Sequence, residues 1–278
     1  MRPLMYGLAG ALLSGGTFVF SSHPFGIALA AAAGGFSGAA SAVCGALIGC
    51  LRLDDGTVFA AAISAVFIFR LIIGRWLNPP EHREETPAGS KGEHLIFRLR
   101  RYAVEASEVS FHESKLIRMI VSAAASVAAG GVISASDGYR MESIVSTVAA
   151  AVISPTLVYL YSGIGDSSRS RTLSEAGRCA VAASAVVSLT GLVPHIDIAP
   201  VAAFVIVLLA SRSSGTLVGV AYGVVCGAVL SPELSPLLAM AALAAGCLWR
   251  VSAAVAVTGA CTVGVLWGLY VWGLDAMS

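Results

Sequence analysis

Charge is what this chain has least of. Only 12% of its 278 residues are Asp, Glu, Lys or Arg, about half the ~25% usual in a soluble domain. That scarcity excludes an ordinary water-soluble globule, whose surface needs more charge than this. The six cysteines, Cys44, Cys50, Cys179, Cys226, Cys247 and Cys261, never fall at CxxC spacing. They sit singly in apolar runs and read as small packing residues, since a metal or redox centre needs converging thiolates. There is no phosphate-cradling glycine loop followed by lysine and no serine nucleophile elbow. The polar and apolar alternation of an outer-membrane barrel is missing as well. None of the 16 acidic residues stands in the centre of an apolar run; all occupy connections or run ends. Ionisable groups at bilayer depth are costly and mark proton or ion pathways. Without them the sequence nominates no catalytic, cofactor-binding or metal-binding residue.

Apolar residues are abundant instead, at 57% of the chain with a mean hydropathy of +0.84. Runs of about 20 residues, each long enough for a ~30 Å hydrocarbon core, recur from end to end. The expected fold is all-α, a polytopic membrane bundle of about 10–11 transmembrane helices. Spans are predicted near 4–20, 25–34 with 36–51, 57–77, 116–135, 141–161, 178–193, 198–211, 215–231, 234–249 and 252–274. The stretch from Phe25 to Leu51 is too long for a simple span and is interrupted at Gly34 and Gly35, so it reads either as one tilted helix or as two short ones. Turns rich in terminating residues separate the spans: LDDG at 53–56, SDGYR at 136–140, SRSS at 211–214 and SPELSP at 231–236. The N-terminal run has the makings of a signal peptide but reads as a retained first span, because further apolar runs follow at once.

Three regions follow from this pattern: transmembrane helices in 1–77, a polar loop in 78–115, and transmembrane helices in 116–278. Eight of the 17 basic residues fall between Arg75 and Arg118, and Arg169, Arg171 and Arg178 flank another polar stretch. The positive-inside bias puts both stretches on the cytoplasmic side. Within the loop, NPPEHREETPAGSKGEH is linker-like, whereas LIFRLRRYAVEASEV regains helical periodicity. Its arginines, Arg98, Arg100 and Arg101, are candidate membrane-interface residues; an ordinary cytoplasmic extension of the next span is the equally weighted alternative. Arg70 lies within the span 57–77 near its cytoplasmic end and is expected to snorkel to the headgroups. His23 and His195 precede spans on the outer side and read as interfacial residues beside the turn-forming Pro24 and Pro194. The pair His195 and Asp197 lacks the further ligand a metal would need. Pro155 is expected to kink its span.

Glycine recurs every fourth residue in GTLVGVAYGVVCGAVL, at Gly215, Gly219, Gly223 and Gly227. A glycine inside a helix in water costs about 1 kcal/mol relative to alanine. In a bilayer such a file survives as a groove for close helix packing. A looser file includes Gly45 and Gly49, and AVCGALIG at 42–49 resembles VVCGAVLS at 224–231, a hint of internal duplication. All six glycines are predicted helix-packing residues.

The order of features from Thr172 onward, TLSEAGRCAVAASAVVSLTGLV, then HIDIAPVAAFVIVLLASRSSGTLVGVAYGVVCGAVLS, then LSPLLAMAALAAGCLWRVSAAVAVTGACTVGVLWG, resembles the membrane domain of the stage II sporulation protein E family. Glu175, the glycine file, Gly246, Arg250 and Gly264 stand where that pattern has its features, and PFGIALAAA at 24–32 is similar to its early segment. The resemblance implies a multi-pass domain of the cell membrane, directed to the polar septum. It further implies self-association and contact with the division machinery, in a protein whose separate PP2C-type, manganese-dependent phosphatase activates a forespore sigma factor. The residues up to Ser278 include no such phosphatase region, so the implied role is anchoring and localising rather than catalysis. No cofactor and no nucleic acid are implied; the lipid bilayer is the first partner. The competing expectation is a small-molecule permease, suggested by the span count, the interrupted segment at Gly34 and Gly35, and the faint repeat.

Overall fold

A computed structural model describes residues 2–17, 22–77, 114–164, 170–193 and 196–272. Among these residues every extended regular element is an α-helix; one isolated bridge joins Val193 and Ile196. The fold is an all-α helix bundle. It divides into two compact units, Met1–Asp166 and Ser167–Ser278.

The first unit holds α1 (Arg2–Leu13), α2 (Pro24–Ala32), α3 (Phe36–Cys50), α4 (Gly56–Leu77), α5 (Lys115–Ser136) and α6 (Met141–Tyr161). The segment from Phe25 to Leu51 is therefore two helices, parted at Ala33–Gly35, where Gly35 takes the left-handed φ of +67° that disfavours other residues. α5 and α6, grouped with the C-terminal spans in the sequence reading, pack on α2 and belong to this unit. Ser114 caps α5 by accepting from the Ile117 N–H at 3.4 Å. α5 stops where Gly138 turns left-handed at φ +70° and the Tyr139 N–H reaches the Ser134 carbonyl at 2.7 Å.

The second unit is a run of antiparallel neighbours: α7 (Arg171–Leu189), α8 (Ala199–Ser213), α9 (Thr216–Leu230), α10 (Leu234–Leu248) and α11 (Ala253–Trp272). Alternating directions bring Arg171, Arg178, Arg212 and Arg250 to one end, where Arg212 lies 5.3 Å from the Trp249 ring centroid. Asp197 and Glu233 stand at the other end.

Four helices, Gly56–Gly74, Lys115–Ser136, Met141–Tyr161 and Ala253–Val271, are long and apolar enough to cross a membrane. Along α5 and α6 burial departs from the pattern of a soluble protein. On α5 the exposed side chains include Leu116, Ile120, Val127 and Val132, while Ser122, Ser126 and Ser134 are buried. On α6, Val148 and Val152 face out and Ser154 is fully buried. Large apolar groups outside and small polar ones inside suit a lipid solvent, in which helices meet through small residues. The chain is a multi-pass membrane protein.

Candidate functional site

The predicted packing glycines occupy two separate places. In the first unit α1 and α3 run parallel and nearly touch. A Cβ on Gly45 would overlap the Gly7 carbonyl oxygen, and one on Gly49 would overlap the Ser14 hydroxyl. In the second unit a Cβ on Gly219 would run into Ser211 of α8. One on Gly223 would come within 2.6 Å of the Leu238 carbonyl oxygen, and one on Gly227 within 2.6 Å of the Ser235 nitrogen, both on α10. Gly215 departs from this file. It precedes α9 as the N-cap, with φ +101°, and nothing lies within 4 Å of its would-be Cβ. Its glycine is required by the turn between α8 and α9, not by a helix contact. Arg98, Arg100 and Arg101 lie outside the described residues, as does His195.

More unusual is α2. All nine of its residues are buried, and α1, α3, α4, α5 and α6 all contact it. At ~1.5 Å per residue it spans only ~14 Å, less than half a ~30 Å hydrocarbon core. A helix this short leaves most of its backbone groups at unsatisfied ends. At its C-terminus, arginines from neighbouring helices answer that need. Arg70 of α4 donates from Nη1 to the Ala30 carbonyl at 2.7 Å, and Arg118 of α5 donates from Nη1 to the Ala32 carbonyl at 3.4 Å. Both cations also oppose the negative end of the helix dipole. Arg70 therefore does not snorkel to the headgroups: at 1% exposure it is the largest fully buried side chain described. An uncapped helix end inside the bundle outcompetes water for its guanidinium.

The N-terminus of α2 is treated differently. Pro24 occupies the first turn, and the preceding His23 makes no side-chain cap. Instead the His23 Nδ1 donates to the Gly16 carbonyl at 3.0 Å, and its ring meets Phe59 of α4 edge-on at 4.8 Å. Because a carbonyl only accepts, the proton sits on Nδ1 and the neutral ring keeps Nε2 as an acceptor. Burial holds the His23 pKa below the ordinary imidazole value, against the opposing pull of the Gly16 bond and the nearby Asp55 charge. His23 is thus buried within the bundle, at the connection that precedes α2.

Beside this N-terminus opens a cavity of about 260 Å³. Ser22, His23, Pro24 and Ile27 form one wall, Asp55 and Phe59 a second, and residues of α5 and α6 the rest. Its depth runs from Asp137 to Ser126 along α5, ~16 Å by helical rise. Two hydroxyls on its lining, those of Ser22 and Ser126, are 3% and 2% exposed as residues and have no hydrogen-bond partner among the described residues. Such groups are uncommon in finished interiors and call for an explanation. Asp55, Asp137, Arg140 and Glu142 supply the charges on the lining.

Comparison of the chain with protein-family models, with curated proteins and with solved structures gives no match. The site therefore stands on its own geometry. Among the described residues no three His, Cys, Asp or Glu side chains gather closely enough to hold a metal ion, and the six cysteines are unpaired.

Sequence reasoning passed over the serines. Ser122, Ser126, Gly130 and Ser134 recur every fourth residue on α5, as regularly as the glycine file. Gly130 lets Thr147 of α6 come close, since a Cβ there would lie 2.7 Å from its methyl carbon, and the Ser134 and Thr147 hydroxyls meet at 3.1 Å. The spacing was visible; what it would face was not.

Proposed function

We propose that this chain is a membrane-anchoring and localising module of the kind found in the stage II sporulation protein E family, held in the cell membrane and directed to the polar septum. The observation that carries this reading is that the stretch with the strongest resemblance, from Thr172 onward, coincides with one compact unit, Ser167–Ser278. The feature order is then the order of one folding body rather than a scatter of apolar runs. Its glycine face is filled by α8 and α10 of the same chain, so self-association in this reading falls to other surfaces. A fluorescent fusion of the full chain, expressed in a spore-forming bacterium, is expected to concentrate at the asymmetric septum. Uniform membrane fluorescence throughout sporulation would overturn the reading.

A second reading, a small-molecule permease, is favoured by the short helix α2 ending on a cavity. Transporters commonly aim half-helix N-termini at a substrate near mid-membrane. Solute uptake into proteoliposomes is the measurement that separates a carrier from an anchor.

A further inference from the structure

In the second unit α8 and α10 run the same way, and each leads to an exposed arginine: Arg212 in the last turn of α8 and Arg250 just past α10. Of the arginines at this end, Arg178 has a carboxylate partner, Glu175 at 3.2 Å. Arg171, Arg212 and Arg250 have none among the described residues. Arg212 lies instead over an aromatic ring, its guanidinium carbon 5.3 Å from the Trp249 centroid, a contact that orients the side chain and leaves its charge unneutralised. Trp249 precedes Arg250 in the chain and packs on Leu208, Ala241, Ala245 and Ala260, so one anchored indole links the two arginine positions. An arginine near a helix C-terminus also meets the negative end of the dipole, but neither guanidinium donates a hydrogen bond to a helix carbonyl among the described residues. Each arginine also ends an exposed apolar face. On α8, Val201, Val205 and Leu209 recur every fourth residue at 65%, 48% and 56% exposure, and Arg212 follows three residues on. On α10, Leu243 at 51% exposure and the exposed Cys247 lead to Arg250 in the same steps.

A soluble anion would answer the arginines and leave both apolar faces unused. A zwitterionic lipid would cover the faces but bring its own cation to a place already in excess of positive charge. A lipid with a net negative headgroup satisfies both, and guanidinium forks match phosphate oxygens well. We propose that this end of the second unit binds an anionic phospholipid, its phosphate against Arg212 and Arg250 beside Trp249, its acyl chains along the Val201–Leu209 face of α8 and the Leu243–Cys247 face of α10. On the positive-inside bias this end is expected in the cytoplasmic leaflet, where anionic lipids supply the negative surface potential. The site is separate from the candidate interface arginines of the polar loop. It is also independent of the anchoring reading, because lipid binding by a purified chain does not require septal localisation.

The test is thermal unfolding of the detergent-purified full chain titrated with dioctanoyl phosphatidylglycerol, compared with dioctanoyl phosphatidylcholine and sodium phosphate at equal concentration. Phosphatidylglycerol is expected to raise Tm in a saturable manner and by more than phosphatidylcholine, while inorganic phosphate leaves it nearly unchanged. One basic residue beside anionic lipid is worth about fivefold in affinity, so Arg212→Gln combined with Arg250→Gln should weaken the apparent Kd for phosphatidylglycerol by about tenfold or more. The two single variants, each expected to lose about fivefold, read the same site should the double variant fold poorly. Arg212→Lys with Arg250→Lys keeps the charge and should retain most of the preference. Arg140→Gln, which removes an exposed arginine of the first unit, should leave Kd as it is. The proposal is overturned if phosphatidylcholine raises Tm as much as phosphatidylglycerol, if inorganic phosphate does so and thereby marks a site for free anions, or if the Arg212→Gln and Arg250→Gln variants bind phosphatidylglycerol as tightly as wild type.

Discussion

A glycine's meaning in this protein depends on what stands opposite it. Gly45 and Gly223 face main-chain atoms of a neighbouring helix that cannot rotate away, whereas Gly131 of α5 has nothing within 4 Å of its would-be Cβ. Gly45→Ala and Gly223→Ala are expected to destabilise by about 1–3 kcal/mol, the usual cost of overpacking. Gly131→Ala should be neutral or stabilising by up to ~1 kcal/mol through helix propensity. Thermal melts of the three variants in one detergent check the contrast; equal effects at all three would show that propensity, not contact, governs these positions. Gly215 and Gly219 show how much of this can be read beforehand. The four-residue spacing was plain in the sequence, and three of the four glycines, Gly219, Gly223 and Gly227, do abut another helix. That the first was a turn residue followed from SRSS ending the previous helix, a boundary that spacing alone overrides.

At the scale of elements, α2 is the least ordinary part of the fold. Its apolar sequence, PFGIALAAA, signals burial without saying what surrounds it, and the arginines that serve its C-terminus lie about 40 and 86 residues away in the chain. Arg70→Met keeps most of the side-chain volume but withdraws the donor from the Ala30 carbonyl. A buried carbonyl left without its partner costs about 1–3 kcal/mol, so this variant should melt well below wild type. Arg70→Lys, which can still donate, should recover part of the loss. If methionine is tolerated without cost, the guanidinium is not what holds the end of α2. Helix limits such as Met141–Tyr161 could be read directly from punctuation and hydropathy. The cavity could not, because Ser22, Asp55, Ser126 and Thr147 converge only after four helices have packed.

For the whole molecule, charge sets orientation. In the first unit Arg70 and Arg118 meet at the C-terminal end of α2, while Asp55 and Asp137 line the cavity at the opposite end. On the positive-inside bias the cavity mouth is expected on the outer face. In a background with the native cysteines replaced, Asp137→Cys should react in intact cells with a membrane-impermeant maleimide. Ser114→Cys should react only after permeabilisation. The reverse pattern would invert the topology and turn the cavity toward the cytoplasm. The second unit follows the same rule in itself, with four arginines at one end.

The brevity of α2 also sets an order in time. Nine residues are too few to be retained as an independent span, which takes ~20, and its exposed backbone ends are costly in lipid. α1 and α3 are close in sequence and can pair early through Gly45 and Gly49. The helices that bury the rest of α2, α5 and α6, begin only at Lys115 and Met141. During synthesis α2 must therefore wait, shielded at the translocation machinery or at the membrane surface, until more than a hundred further residues have been made. Its docking is a late step of assembly, and the bundle is complete only when its shortest helix has been enclosed.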